Sequence, residues 1–168
     1  LMRGAGEMGD FEPFTRKYGM AGSVISAASL ITGIGKAVGL PHVEVPGITG
    51  SQNSNIAGKV SAAMNELKTK DFVLMNIKGA DESGHDGLFE QKKAFIEKID
   101  PLLEPLLGLK DTIIIVTGDH STPCCIKDHS ADPVPILIRG EGVRTDDVVR
   151  YDEFSCVSIF TMTASHDP

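Results

Sequence analysis

The string Asp81-Glu82-Ser83-Gly84-His85 sets an aspartate and a histidine four residues apart. A second string, Gly118-Asp119-His120-Ser121-Thr122-Pro123, follows the apolar run Ile113-Ile114-Ile115-Val116 after Thr117, and His129 comes nine residues after His120. Carboxylate oxygen and neutral imidazole nitrogen are the donors that hold Zn²⁺ and Mn²⁺-like ions. Three of the five histidines fall in these places, each close to an aspartate. Taken singly, each has an ordinary structural explanation: a helix cap, a strand-end turn, a surface histidine. Taken together, Asp81, His85, Asp119, His120 and His129 read as most of a two-metal centre. Such a centre clamps a phosphoryl group between ions about 3.5–4 Å apart. Gly118 permits the tight turn that would aim the adjacent Asp119 and His120 at one ion. Ser121 and Thr122 are the nearest hydroxyls, and neither is assigned as a nucleophile.

These residues need elements to bring them together. Residues 22–26 read as a strand and 28–38 as a short helix closed by Gly39 and Pro41. Pro46-Gly47 with Gly50 marks a junction. Residues 55–68 form an amphipathic helix whose apolar positions are Ile56, Val60, Ala63, Met64 and Leu67. Residues 72–77 read as a strand, followed by a glycine-rich loop carrying Asp81 and His85. Residues 88–107 read as helical, with Pro101 expected to kink or split them. A buried strand is expected over 112–116 and another over 134–138. Strand–helix–strand alternation predicts an α/β fold with helices covering a largely parallel sheet. If the strands at 72–77 and 112–116 are parallel neighbours, Asp81 and Asp119 share the carboxyl edge of that sheet.

Composition narrows the partners. The 168 residues suffice for one core, or one domain plus part of another. The net charge is −7, and no Lys/Arg cluster goes beyond adjacent pairs such as Lys92-Lys93, which argues against a nucleic-acid partner. Acidity is compatible with an anionic substrate, because bound metal ions invert the local field. Cys124, Cys125 and Cys156 are odd in number and two are adjacent, a poor disulfide framework that fits a reducing cytosol. A cytoplasmic location is therefore expected. Cys124-Cys125 reads either as a soft metal ligand or as two small, partly buried side chains. The apolar stretch 21–34 is too short and too broken by Gly, Ser and Thr to span a membrane, and no signal peptide is visible. The chain starts at Leu1, and its apolar residues run straight into a glycine turn, so sequence is expected upstream.

The motifs Asp81-x-x-x-His85, Gly118-Asp119-His120-Ser121-Thr122-Pro123 and His129-Ser130-x-Asp132-Pro133-Val134-Pro135 resemble the carboxyl-terminal metal motifs of the alkaline phosphatase superfamily. More narrowly they resemble archaeal-type cofactor-independent phosphoglycerate mutases. Arg3-Gly4-Ala5-Gly6, Gly33-Ile34-Gly35-Lys36, Pro46-Gly47-x-Thr49-Gly50 and Asn76-Ile77-Lys78-Gly79-Ala80-Asp81 follow in the matching order. The resemblance implies an alkaline-phosphatase-like, largely parallel sheet flanked by helices. Residues 1–45 would end an inserted substrate-orienting α/β domain, and 46–168 would be the carboxyl-terminal part of the metal-binding domain. It implies two divalent ions (Mn, Zn or Co), with Asp81, His85 and His129 on one and Asp119 and His120 on the other. Arg3 and Lys36 become candidates for the substrate's phosphate or carboxylate. The implied reaction interconverts 3- and 2-phosphoglycerate through a phosphoserine. The family's serine nucleophile and one further aspartate lie near its amino terminus, and nothing here matches them. An incomplete, inactive enzyme is therefore expected. The alternatives are a phosphohydrolase or phosphopentose mutase of the same superfamily, and a metal-binding fragment without turnover. The resemblance fades after Cys156, and His166 reads as a tail residue rather than a ligand.

Overall fold

The computed structural model describes residues 9–156. Arg3, its glycine-rich string and the tail with His166 lie outside the described residues. The chain forms two compact units, one ending at Lys78 and the other beginning at Gly79. Each is α/β.

In the first unit, strand β1 (Gly22–Ile25) pairs in parallel with β2 (Phe72–Met75), Gly22 opposite Phe72 and Ile25 opposite Met75. Helix α1 (Phe14–Tyr18), absent from the sequence reading, precedes β1 and ends at Gly19 in the left-handed conformation. Helices α2 (Ser29–Ala37) and α3 (Ile56–Glu66) occupy the expected places. Burial drives the arrangement: β1 is buried along its whole length, and Ile56, Val60 and Ala63 form the inner stripe of α3. Asn55 caps α3 by accepting the Gly58 N–H at 2.9 Å. The same side chain donates to the Pro46 carbonyl at 2.9 Å, which ties the Pro46-Gly47 turn into this unit.

The second unit departs from expectation in three places. The segment expected as a glycine-rich loop is helix α4 (Gly79–Asp86). Glycine lowers helix propensity, but tertiary packing overrides it, since Gly79, Ser83 and Gly84 are all buried. Asp81 and Glu82 in the first turn favour the helix dipole. A Schellman closure ends it: Leu88 N–H donates to Ser83 O at 2.9 Å, and Gly87 N–H to Gly84 O at 3.0 Å, with Gly87 at φ 73°. Helix α5 (Phe89–Leu103) runs through Pro101, and the break comes later, where Glu104–Gly108 tightens into a 3₁₀ turn containing Pro105. Strands β3 (Ile114–Thr117) and β4 (Ile136–Arg139) are antiparallel, Ile114 facing Arg139 and Thr117 facing Ile136.

Neither strand is buried as expected: Ile115 is 59% exposed and β4 is exposed throughout. A two-stranded sheet leaves its faces open unless another layer covers them, and β3 alternates half-buried Ile114 and Val116 with exposed Ile115 and Thr117. Among the described residues β2 pairs with β1 and β3 with β4.

Candidate metal centre

Helix α4 puts Asp81 and His85 one turn apart on one face, which the loop expectation could not supply. His120 lies just beyond the carboxyl end of β3. From there the chain loops out and returns, because Ser130 N–H donates to Ser121 O at 3.0 Å and these residues form an isolated antiparallel bridge. That pinch sets the flanking His120 and His129 side by side, their rings stacked at 3.6 Å between centroids.

Three donor atoms converge. His85 Nε2 lies 3.4 Å from Asp81 Oδ1 and 3.1 Å from His129 Nε2, and His129 Nε2 lies 3.6 Å from the same Asp81 oxygen. Ligands at 2.0–2.2 Å in a tetrahedral site stand about 3.4 Å apart. The Asp81–His85–His129 triangle has that size. Asp81 is mostly shielded from solvent, while His85 and His129 are open to it. This leaves a face for a further ligand, the pattern of catalytic rather than structural ions.

His120 sits at the border of this triangle. Asp81, His120 and His129 also present ligand atoms within 4.8 Å of one another. Its Nε2 faces Asp119 Oδ2 at 3.4 Å, and the Asp119 side chain is 78% exposed. The five sequence-nominated residues thus fall into a tight triangle and an adjoining His120–Asp119 pair. Cys124 is not among the donors, since its sulfur turns to the Ser83 carbonyl at 3.9 Å.

The surroundings hold these groups in place. Lys127 carries a left-handed backbone (φ 55°), and its carbonyl lies 3.2 Å from His85 Nδ1. A carbonyl only accepts, so His85 Nδ1 donates to it, and this contact turns Nε2 toward the triangle. Thr122, 4% exposed, donates to Asp81 Oδ1 at 2.7 Å and lies 3.2 Å from His120 Nδ1. Lys92 on α5 donates to the Thr122 carbonyl at 2.7 Å. Lys92 and Lys127 were not nominated from sequence, and no motif marks either.

A family model described as the metalloenzyme superfamily matches residues 1–162. This chain belongs to the metalloenzyme superfamily. It is 64% identical over 156 residues to the 2,3-bisphosphoglycerate-independent phosphoglycerate mutase of Methanoculleus marisnigri, covering 93% of this chain and 38% of that protein. The 2,3-bisphosphoglycerate-independent phosphoglycerate mutase 1 of Archaeoglobus fulgidus is 51% identical, with 92% of this chain and 38% of that protein covered. Among solved structures, a protein from Pyrococcus horikoshii superposes with a TM-score of 0.89 at 38% identity, over 94% of this chain and 42% of that one. A cofactor-independent phosphoglycerate mutase from Thermoplasma acidophilum gives 0.69 at 33% identity, over 88% and 34%. The chain therefore spans about two-fifths of the length of the relatives it matches.

The first unit of this metalloenzyme-superfamily chain holds two further polar sites. Lys36, nominated from sequence, lines a cleft of about 320 Å³ together with Ser29, Thr32 and His42. His42 is fixed there by its Nε2, 2.9 Å from the Ser26 carbonyl. Lys59 is different, 1% exposed on the inner face of α3, with its ammonium donating to the Asn76 carbonyl at 2.7 Å just past β2. Burial pushes its pKa down. A signal for Lys59 was present, because it falls three residues after Ile56 on the apolar stripe.

Proposed function

We propose that this chain forms the metal-binding portion of a 2,3-bisphosphoglycerate-independent phosphoglycerate mutase, which interconverts 3- and 2-phosphoglycerate in the cytoplasm through a phosphoserine. The observation that carries the reading is the convergence of Asp81 Oδ1, His85 Nε2 and His129 Nε2 within 3.1–3.6 Å. Asp81, His85 and His129 would hold one divalent ion (Mn, Zn or Co), and Asp119 and His120 would contribute to a second. When bound, such ions polarise phosphoryl oxygens and offset the charge of the transferring group. The protein's own part is orientation: His85 is turned by the Lys127 carbonyl, and Asp81 is held by the Thr122 hydroxyl. Lys36, in the cleft with Thr32 and His42, supplies a cation for the substrate's phosphate or carboxylate, with Arg3 as a second. Residues 1–45 would close a substrate-orienting domain and 46–168 belong to the metal-bearing one. No serine of this chain is assigned as the nucleophile.

The test is a chimera in which this chain replaces the matching part of the Methanoculleus marisnigri enzyme. It is expected to convert 3- to 2-phosphoglycerate with added Mn²⁺, and His85→Ala is expected to weaken Mn²⁺ binding at least about tenfold with loss of turnover. A chimera that binds metal yet releases inorganic phosphate as its main product would make the hydrolase reading the correct one. Equal Mn²⁺ affinity in the parent and His85→Ala would remove the metal assignment.

A further inference from the structure

The two lysines of the Lys92-Lys93 pair behave differently. Lys93 is exposed and faces Glu97, one turn along α5, at 3.7 Å. Lys92 is half-buried and donates to the Thr122 carbonyl at 2.7 Å. Thr122 is buried, and a shielded carbonyl needs a donor. Gly84 leaves room for the approach, since a β-carbon there would overlap that carbonyl oxygen. Lys92 sits near the amino-terminal end of α5, where the helix dipole offers a cation no gain. Its charge serves the carbonyl rather than its own helix.

What hangs on that carbonyl is the loop between β3 and β4. Ser121, next to Thr122, bridges Ser130, and His120 and His129 flank the same pinch. Asp81 and His85 sit instead on α4, which Gly87 and Leu88 join to α5. The donors of the candidate metal centre therefore come from two supports, a helix and a loop. The strands carrying the loop give it little buried support, with Ile115 and all of β4 exposed. Two ties between the supports end on the metal-type donors themselves: the Thr122 hydroxyl on Asp81 and the Lys127 carbonyl against His85. The Lys92 tie uses no such donor, so it holds the loop whether or not the donors engage an ion. It is also charge-assisted, and so about twice as strong as a neutral hydrogen bond. We infer that Lys92 is a positioning residue: it pins the β3–β4 loop to the α4–α5 pair and keeps His129 at ligand distance from Asp81 and His85. Groups that orient metal ligands commonly change affinity by about 10–100-fold when removed. The inference rests on the metal-site reading above, but its first test needs no ion.

That test is hydrogen exchange by NMR in the metal-free 168-residue chain. The Ile126, Lys127 and Ser130 amides are hydrogen-bonded within the loop. Their exchange is expected to quicken at least about tenfold in Lys92→Met, which removes the charge and keeps the side chain's bulk. Amides of α5 should keep the parent rate, as should the loop in Lys93→Met, and Lys92→Arg should restore the loop's protection. Mn²⁺ titration should then show affinity lowered at least about tenfold by Lys92→Met and kept by Lys92→Arg and Lys93→Met. Equal quickening through α5 and β3 would mean a general loss of stability and would overturn the proposal, as would a loop that exchanges at the parent rate. A Lys92→Met that fails to fold does not rescue it: in the parent the Lys92 ammonium protons should exchange with water more slowly than those of Lys93, and equal rates overturn it without any variant. A parent that binds Mn²⁺ no more tightly than Lys92→Met does removes this inference alone. A parent that binds no Mn²⁺ removes the metal reading and this inference with it. None of these readouts involves phosphoglycerate.

Discussion

Replacing Gly84 by alanine sets two physical effects against each other. Gly84 lies inside α4, where alanine is favoured by about 1 kcal/mol on helix propensity alone. Its α-carbon, however, faces the loop that carries Thr122. An added methyl would stand 2.9 Å from Thr122 Cγ2 and 3.0 Å from its Cβ, and would overlap the Thr122 carbonyl oxygen. Backbone cannot rotate away as a flexible side chain can. The loop must therefore shift, and that carbonyl is also the acceptor for Lys92. Overpacking of this kind costs about 1–3 kcal/mol, and a weakened charge-assisted hydrogen bond adds about 1.5–3 kcal/mol. The clash outweighs the propensity gain, and Gly84→Ala is expected to destabilise the second unit by about 1.5–5 kcal/mol net. Because Thr122 moves with its backbone, Mn²⁺ affinity should fall as well. The assay is urea unfolding followed by amide exchange in α4 and α5, with Mn²⁺ titration alongside. Gly33→Ala is the matched control, since it lies inside α2 with no heavy atom within 4 Å of the added carbon. It should stabilise the first unit by about 0.5–1 kcal/mol. Gly84→Ala as stable as the parent, with unchanged metal affinity, would refute the close packing between α4 and the Thr122 loop.

Two further expectations are independent of this one. Lys127 holds a left-handed backbone that costs a non-glycine residue about 1–2 kcal/mol, and only its carbonyl serves His85. Lys127→Gly should raise stability by about 1 kcal/mol and keep metal binding, whereas Lys127→Val should lower both; denaturant unfolding and Mn²⁺ titration read the pair. Lys59 is buried with its pKa pushed below the ordinary lysine value of 10.5. Between the folded pKa and 10.5 the unfolded chain binds more protons, so the stability of the first unit should rise with pH across that window. Lys59→Met should flatten that rise in unfolding measurements at stepped alkaline pH.

Residue type and spacing alone nominated Asp81, His85, Asp119, His120 and His129, because only a few side chains donate to divalent ions and their clustering is visible in one dimension. The same holds for α2, α3 and the four strands, whose apolar periods and glycine or proline ends are local properties. Burial was not local. The isoleucine run before Gly118 reads as a buried strand, yet Ile115 is 59% exposed, because whether a strand is covered depends on which layer packs over it. Helix α4 was hidden for a related reason. Its glycines argue for a loop, and only their burial, with Gly84 against Thr122, makes the helix worth its propensity cost. That helix is what turns the Asp81–His85 spacing into one face. Thr122 shows the limit most directly: its neighbours on the chain are shared with any strand-end turn, and its partners Asp81 and Lys92 come from 41 and 30 residues away. Sequence names the groups able to bind a metal, but their orientation depends on non-neighbouring atoms that only the folded chain brings within hydrogen-bonding distance.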